Sequence, residues 1–131
     1  MSLKPTDITL SKASGVPFYR QIQDQIAELV RAGRVLPGDK LPSVRELARQ
    51  MVVSVITTRR AYLELESEGL IVRRQGRGTF VADDVAQQLQ LRSDRTAQTT
   101  LTEAVDTARR LGLSDAAILE FVTSHLKGMS P

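Results

Sequence analysis

Residues 41–60, LPSVRELARQMVVSVITTRR, constrain this chain most, because they contain the start signals of two closely spaced helices. Ser43 is a favourable N-cap, and Glu46 three residues later allows a reciprocal capping box. Ser54 begins a second helix. Only residues 51–53 separate the two helices, and a turn that short is typical of a helix-turn-helix. The alternative interpretation of this stretch is an ordinary helical hairpin.

The apolar spacing of both helices predicts which sides they bury. The first helix has one apolar stripe, formed by Val44, Leu47, Ala48 and Met51. The second helix has a side suited to burial, with Thr58, Ala61, Tyr62 and Leu65. Its opposite side carries Ile56, Arg59, Arg60 and Leu63.

A third helix is predicted before this motif. It opens at Pro17 and stops near Gly33, with an apolar face made of Phe18, Ile22, Ile26, Leu29 and Val30. Residues 1–15 show little periodicity and are expected to be extended or loose, and residues 35–39 form a turn. The motif is therefore expected within a small helical domain.

A β-hairpin is predicted directly after the second motif helix. Residues 70–74 are rich in β-branched side chains, residues 79–81 are their expected partner strand, and Gln75-Gly76-Arg77-Gly78 makes the turn. The structural alternative is a plain two-stranded cap on the core. Arginines at 73, 74 and 77 have no use in a core, so the pattern favours a wing that contacts nucleic acid.

The last third of the chain is predicted to be helical. We expect a short helix over residues 84–91, a polar linker over 93–100, and two helices over 101–111 and 114–126, separated by Gly112. One apolar stripe comprises Leu101, Ala104, Val105, Ala108 and Leu111, and the other Ile118, Leu119, Val122 and Leu126, with Phe121 beside it. Two such short helices cannot bury these stripes alone. They need the preceding domain or, as we expect, a second copy of themselves.

Composition narrows the range of functions. The chain has no cysteine and a single histidine, His125, which argues against thiolate and two-histidine metal sites. No nucleophile–histidine pairing or nucleotide-binding glycine loop is visible, so we expect no enzyme and no cofactor. No apolar run reaches the roughly 20 residues of a membrane span, and we expect a cytoplasmic protein that contacts no membrane.

The charge is unevenly distributed along the chain. Residues 1–82 have 13 Lys and Arg against 8 Asp and Glu, whereas residues 83–131 have 5 against 7. The basic front suggests a polyanionic partner.

These segments together resemble a known family. YRQIQDQIAELVRAGRVLPGDKLPSVRELARQ followed by VSVITTRRAYLELESEGLIVRRQGRGTFV is similar to the DNA-binding domain of GntR-family transcription regulators. The short tail, with its ARRLGLS turn between two helices, resembles the YtrA-type subfamily, which has a small dimerisation module. The resemblance implies a mostly α fold with a small β-hairpin. A winged helix-turn-helix domain is expected over residues 10–82, and a helical dimerisation module over residues 83–131.

The resemblance also implies roles for individual residues. Arg45 stands where the family has a base-reading arginine, and arginine pairs bidentately with guanine. Gly76 stands at a wing tip that approaches the minor groove. Ser54 is expected to cap the helix, to contact DNA, or to do both. The full set of expected DNA contacts is Ser43, Arg45, Ser54, Val55, Thr57, Arg59, Arg60, Arg73, Gly76 and Arg77.

Two positions depart from the family pattern. Many relatives have glycine where Val52 stands, and a basic or polar residue where Val55 stands. Val55 and Ile56 offer methyl groups, so contact with a thymine methyl or with sugars is expected there. The expected function is transcription regulation, with repression as the family's commoner mode, through a homodimer on a palindromic double-stranded DNA operator. The alternative is a winged-helix protein–protein interaction module. An unknown small-molecule effector, if one exists, is expected between subunits or between domain and tail, and not tightly held.

Overall fold

The computed structural model describes Leu3 and residues 7–128. These residues form five helices and three strands, which are α1 Phe18–Arg31, β1 Lys40–Leu41, α2 Val44–Met51, α3 Val55–Ser67, β2 Ile71–Arg74, β3 Gly78–Val81, α4 Val85–Arg110 and α5 Asp115–Gly128. The chain divides into two compact units, one up to Arg92 and one from Ser93. This mostly helical architecture with a small sheet confirms the predicted fold class. Among the described helices, none is long and apolar enough to cross a membrane.

One hydrophobic core holds the first unit together. The buried side of α3 is the one that the sequence predicts, with Thr58, Ala61, Tyr62 and Leu65. On α1 the predicted apolar face is buried except for Phe18, which is half-buried. Residues of α2, the sheet and the first turn of α4 complete the core, including Leu47, Leu41, Val81 and Val85. Burial of this apolar surface, at about 25 cal/mol per Å², is the main force that fixes the three helices against the sheet.

The sheet has three antiparallel strands in the order β1-β3-β2. The predicted hairpin is present, with Val72 opposite Phe80 and Arg74 opposite Gly78. The third strand, β1, was not predicted from the sequence, because two residues are too few to show an alternating pattern. It pairs Lys40 with Phe80, and so ties the segment just before α2 to the wing.

The described part of the N-terminal segment, predicted to be extended or loose, forms no α-helix or strand before Phe18, but it is packed and not loose. Leu3 and Ile8 are buried in the core. Two glutamine side chains of α1 hold this segment, because the amide of each binds both the N–H and the carbonyl of one residue. Gln25 Oε1 accepts from the Thr9 N–H at 2.8 Å, and its Nε2 donates to the Thr9 carbonyl at 2.7 Å. Gln21 makes the same pair with Ser11, with both distances 2.8 Å. These side-chain amides satisfy backbone groups that the sequence pattern leaves unassigned.

The prediction of a linker over residues 93–100 is wrong, because α4 runs unbroken from Val85 to Arg110. Threonines on this helix donate to the carbonyl one turn back, as Thr100 does to Thr96 and Thr102 to Gln98, both at 2.9 Å. The hydroxyls therefore do not compete with the helical backbone. A polar sequence without an apolar stripe can be a helix that is exposed on all sides, as the exposed residues 93–100 are.

The second unit contains α4 from Ser93 onward and the whole of α5. The predicted turn between them is confirmed, since Gly112 has a φ of 103° and Ser114 Oγ accepts from the Ala117 N–H at 3.1 Å. Val105 and Ile118 are half-buried. The large apolar side chains left exposed in this unit are Leu101, Leu111, Leu113, Leu119, Phe121, Val122 and Leu126.

Candidate nucleic-acid interface

The start of α2 is fixed from two directions. Ser43 Oγ accepts from the Glu46 N–H at 3.1 Å, which is one half of the predicted capping box. The preceding residue, Pro42, has its carbonyl bound by the Tyr62 hydroxyl at 2.7 Å. Burial, and secondarily the charge of Glu46, raise the pKa of Tyr62, so its hydroxyl keeps the proton that it donates. Arg45 thus projects from a rigidly held helix start.

The start of α3 is capped by Ser54. Its Oγ accepts from the Thr57 N–H at 3.0 Å and lies 2.7 Å from Thr57 Oγ1, to which it donates. Thr58 Oγ1 in turn donates to the Ser54 carbonyl at 3.2 Å. The capping role expected of Ser54 is therefore present in the protein without DNA.

The turn between the two helices depends on Val52, which adopts a left-handed conformation with a φ of 56°. Its N–H closes the end of α2, while its side chain is 89% exposed. Left-handed backbone is unfavourable for a β-branched residue and favourable for glycine. The left-handed φ of Val52 is a physical reason for the glycine that the family resemblance leads us to expect at this position.

An open groove of about 490 Å³ lies between the start of α2, the middle of α3 and the sheet. It brings together four of the predicted DNA contacts, Ser43, Arg45, Arg59 and Arg73. The other residues that line it are Lys40, Leu41, Val44, Glu46, Leu63, Gly78 and Thr79. Four cations and one carboxylate give this groove a positive charge that suits a phosphate backbone.

Sequence reasoning missed Lys40 as a member of this groove. Lys40 lies on β1, and its Cε would be only 3.0 Å from a Cβ added at Gly78. The lysine stem crosses the wing where glycine leaves space for it. The available signal was its basic charge directly before the motif, but the strand that orients it was not predictable.

The remaining predicted contacts do not line the groove. On α3, Val55 is half-buried and Ile56 is 80% exposed, whereas Arg60 stacks over the Tyr19 ring at 3.9 Å from its centroid. On the wing, Gly76 and Arg77 are exposed at the turn, with the Arg77 N–H bound to the Arg74 carbonyl at 2.9 Å. Ser54 and Thr57 form the α3 cap.

The wing turn needs its glycines. Gly76 has a φ of 75° and Gly78 a φ of 121°, which are conformations that side chains disfavour. Arg74 extends over the Phe80 ring, 5.5 Å from its centroid.

In the described part of the chain, no three His, Cys, Asp or Glu side chains cluster as metal ligands would. The exposed chemistry of this face is thus cationic, with methyl groups at the start of α3.

Comparison with known proteins agrees with this geometry. The family model described as "Bacterial regulatory proteins, gntR family" matches residues 18–81. The chain is 38% identical over 117 residues to an uncharacterised HTH-type transcriptional regulator, YhcF of Bacillus subtilis, covering 88% of this chain and 94% of that protein. It is 46% identical over 77 residues to the HTH-type transcriptional repressor YtrA of Bacillus subtilis, covering 59% of each chain.

A solved structure supplies the link to DNA. AraR(DBD) in complex with operator ORX1 superimposes with a TM-score of 0.50 at 35% identity, covering 63% of this chain and 95% of that one. The expected likeness to the family and to YtrA-type members is confirmed. The winged helix-turn-helix, its cationic groove and the named transcription regulators among its relatives all support one assignment. The chain belongs to the GntR family of DNA-binding transcription regulators.

Proposed function

We propose that this regulator represses transcription, without catalysing any reaction, by binding a two-fold-symmetric operator as a homodimer. The observation that supports it is the groove in which Arg45, Arg59 and Arg73 lie together. In helix-turn-helix proteins the N-terminal residues of the recognition helix contact base edges. Arg59, the fifth residue of α3, lines this groove and lies about one turn from the start of that helix, so we expect phosphate contacts and base contacts on one face.

The contacts fall into two classes by their position. Arg45 emerges from the capped start of α2 and suits bidentate pairing with guanine. Arg73 lies on β2, where a phosphate contact insensitive to sequence is expected, and Lys40 adds a second cation of that class. Ser54 already caps α3, so any DNA contact from its hydroxyl must share the oxygen with that cap.

The homodimer is supported by exposed apolar surface. Among the described residues, seven of the thirteen exposed large hydrophobic side chains lie between Leu101 and Leu126. Apolar surface concentrated in this way usually marks an interaction site. A second copy presents the same surface to itself, and the resulting pair would place two recognition helices on one DNA duplex. We therefore propose residues 83–131 as the dimerisation module and residues 10–82 as the DNA-binding domain, with Val85 at the start of α4 packed into the core of the latter.

The mode of action is inferred from kinship. The relative YtrA is named a repressor, which supports repression here. We propose a cytoplasmic location, because the family is described as bacterial regulatory proteins and bacterial DNA lies in the cytoplasm. We propose no tightly held effector, and native mass spectrometry of the purified protein would reveal a stoichiometric ligand if this is wrong.

Footprinting on promoter fragments tests the operator, with two protected half-sites about one helical turn, on the order of 34 Å, between centres. A single asymmetric half-site would contradict the symmetric complex.

Light scattering tests the dimer, and we expect Leu119→Glu to give monomers. Leu36 is an exposed leucine of the first unit, so Leu36→Glu should stay dimeric. A wild-type monomer at micromolar concentration would refute the proposed assembly.

A further inference from the structure

We propose that Ile56 recognises the 5-methyl group of a thymine in each half-site and is a specificity-determining residue. This inference rests on the DNA-binding function proposed above. Ile56 is the second residue of α3, at the end from which recognition helices contact bases, and 80% of its surface is exposed. An isoleucine so exposed at that position gains nothing from the core of its own domain.

The neighbours of Ile56 leave it as the apolar group of the helix start. Val55 is half-buried, and Thr57 is engaged with Ser54 through both its N–H and its hydroxyl. Neither side chain is as available as Ile56 to a base edge. At the base-contacting end of α3, the chain therefore presents methyl groups where many helix-turn-helix proteins present a hydrogen-bonding side chain.

Cations flank Ile56 along the same face. Positions three, four and seven residues further on a helix share a side, and here they hold Arg59, Arg60 and Leu63. Arg59 and Leu63 line the groove toward the wing, whereas Arg60 is held over the Tyr19 ring of α1. Ile56 and Leu63 thus form an apolar strip along the helix, with Arg59 on one side of it and Arg60 on the other. This arrangement matches a major groove, in which phosphates flank the base edges on both sides.

Thymine is the base that fits this strip. It alone among the four presents an apolar group, its C5-methyl, in the major groove. The other bases present only donors and acceptors there, and an isoleucine against them leaves polar groups without partners. A thymine methyl against Ile56 instead removes two apolar surfaces from water.

The test begins by selecting binding sites for the full-length protein from a library of random duplexes. Each thymine of the selected site is then replaced by deoxyuridine, which removes only the methyl group. We expect one symmetric thymine position at which the replacement weakens binding by about fourfold per half-site, the value of one buried methyl group. Ile56→Ala should bind the thymine and uracil sites equally, and Ile56→Val should keep part of the preference.

Controls separate the ways in which the idea could fail. Leu36→Ala, an exposed leucine that does not line the groove, should keep the wild-type preference. If no site is enriched over random DNA, the proposed operator binding fails and the inference with it. Two results would contradict thymine recognition while leaving operator binding intact. In one, a site is enriched but replacing any of its thymines by deoxyuridine leaves the affinity unchanged. In the other, the replacement weakens binding of Ile56→Ala as much as binding of the wild type. A change of oligomeric state in Ile56→Ala would show instead that this side chain covers a second copy.

Discussion

Arg60 of the recognition helix lies over the ring of Tyr19 on α1, with its guanidinium carbon 3.9 Å from the ring centroid. A guanidinium at this distance is attracted to the electron-rich face of the ring. The contact fixes the direction of a long side chain that would otherwise sample many rotamers. An arginine on the exposed side of α3 is thereby oriented before DNA is bound.

The first prediction concerns this pair. In a double-mutant cycle, Tyr19→Leu and Arg60→Ala should show a coupling of about 0.5–1 kcal/mol in the free energy of unfolding. If the contact also orients Arg60 toward phosphate, Tyr19→Leu should weaken DNA binding in wild type but not in Arg60→Ala. Chemical denaturation and DNA titrations of the four proteins measure both quantities. Purely additive losses would mean that the stacking is incidental.

The second prediction contrasts two arginines of the groove. Arg45→Ala should cost about 1–3 kcal/mol on the operator and flatten discrimination at one base pair per half-site. Arg73→Ala should weaken operator and random duplex alike and lower the salt slope by roughly one per lost contact. Each variant is titrated against operator, single-base variants and random duplex at two salt concentrations. Equal losses of Arg45→Ala on every duplex would make it a phosphate anchor only.

The third prediction concerns the turn of the helix-turn-helix. Val52→Gly should raise the free energy of unfolding by about 1 kcal/mol, because glycine removes the strain of a left-handed β-branched residue. Val52→Ala, which keeps a Cβ, should gain less. Thermal and denaturant unfolding of the three proteins give the order of stability. A destabilised Val52→Gly would show that the greater freedom of glycine in the unfolded chain outweighs the relief of strain.

The fourth prediction compares two glycines of the wing. A Cβ at Gly76 meets nothing within 4 Å, whereas one at Gly78 would lie 3.0 Å from the Lys40 Cε. Gly76→Ala should therefore cost only about 1 kcal/mol of backbone strain. Gly78→Ala should cost more, about 1–3 kcal/mol, because its φ of 121° lies outside the left-handed helical region and Lys40 must move.

The readout is the unfolding free energy together with DNA affinity. Since Lys40 lines the groove, Gly78→Ala should also weaken binding to random duplex. Equal stability of the two alanine variants would show that Lys40 moves aside freely and that the φ difference has no measurable cost.

The parts of the fold that were predictable are those with a local signal. Ser43 and Ser54 have hydroxyls suited to capping, and the periodic side of α3 corresponds to its buried residues. The hairpin also follows from its glycines and β-branched residues. Three of the four arginines and lysines in the groove were predicted as DNA contacts, Arg45 and Arg59 through the family resemblance and Arg73 from its place in the predicted wing.

The parts that were missed depend on contacts between distant segments. The orientation of Lys40 follows from the pairing of a two-residue strand with β3. The N-terminal segment is held by the amides of Gln21 and Gln25, and no periodic pattern shows such bonds. The expected linker failed because polar residues over 93–100 are equally compatible with a loop and with a helix exposed all round.

The serine caps have a thermodynamic consequence for association. Because Ser43 and Ser54 already close the starts of α2 and α3, neither helix has to be ordered when DNA arrives. Complex formation should then resemble the docking of a rigid body, with the heat capacity change expected from the contact area alone. The free energy of each new contact would appear in affinity undiminished by any cost of folding. A binder built this way should dissociate by breaking contacts one after another, and not by unravelling its recognition helix.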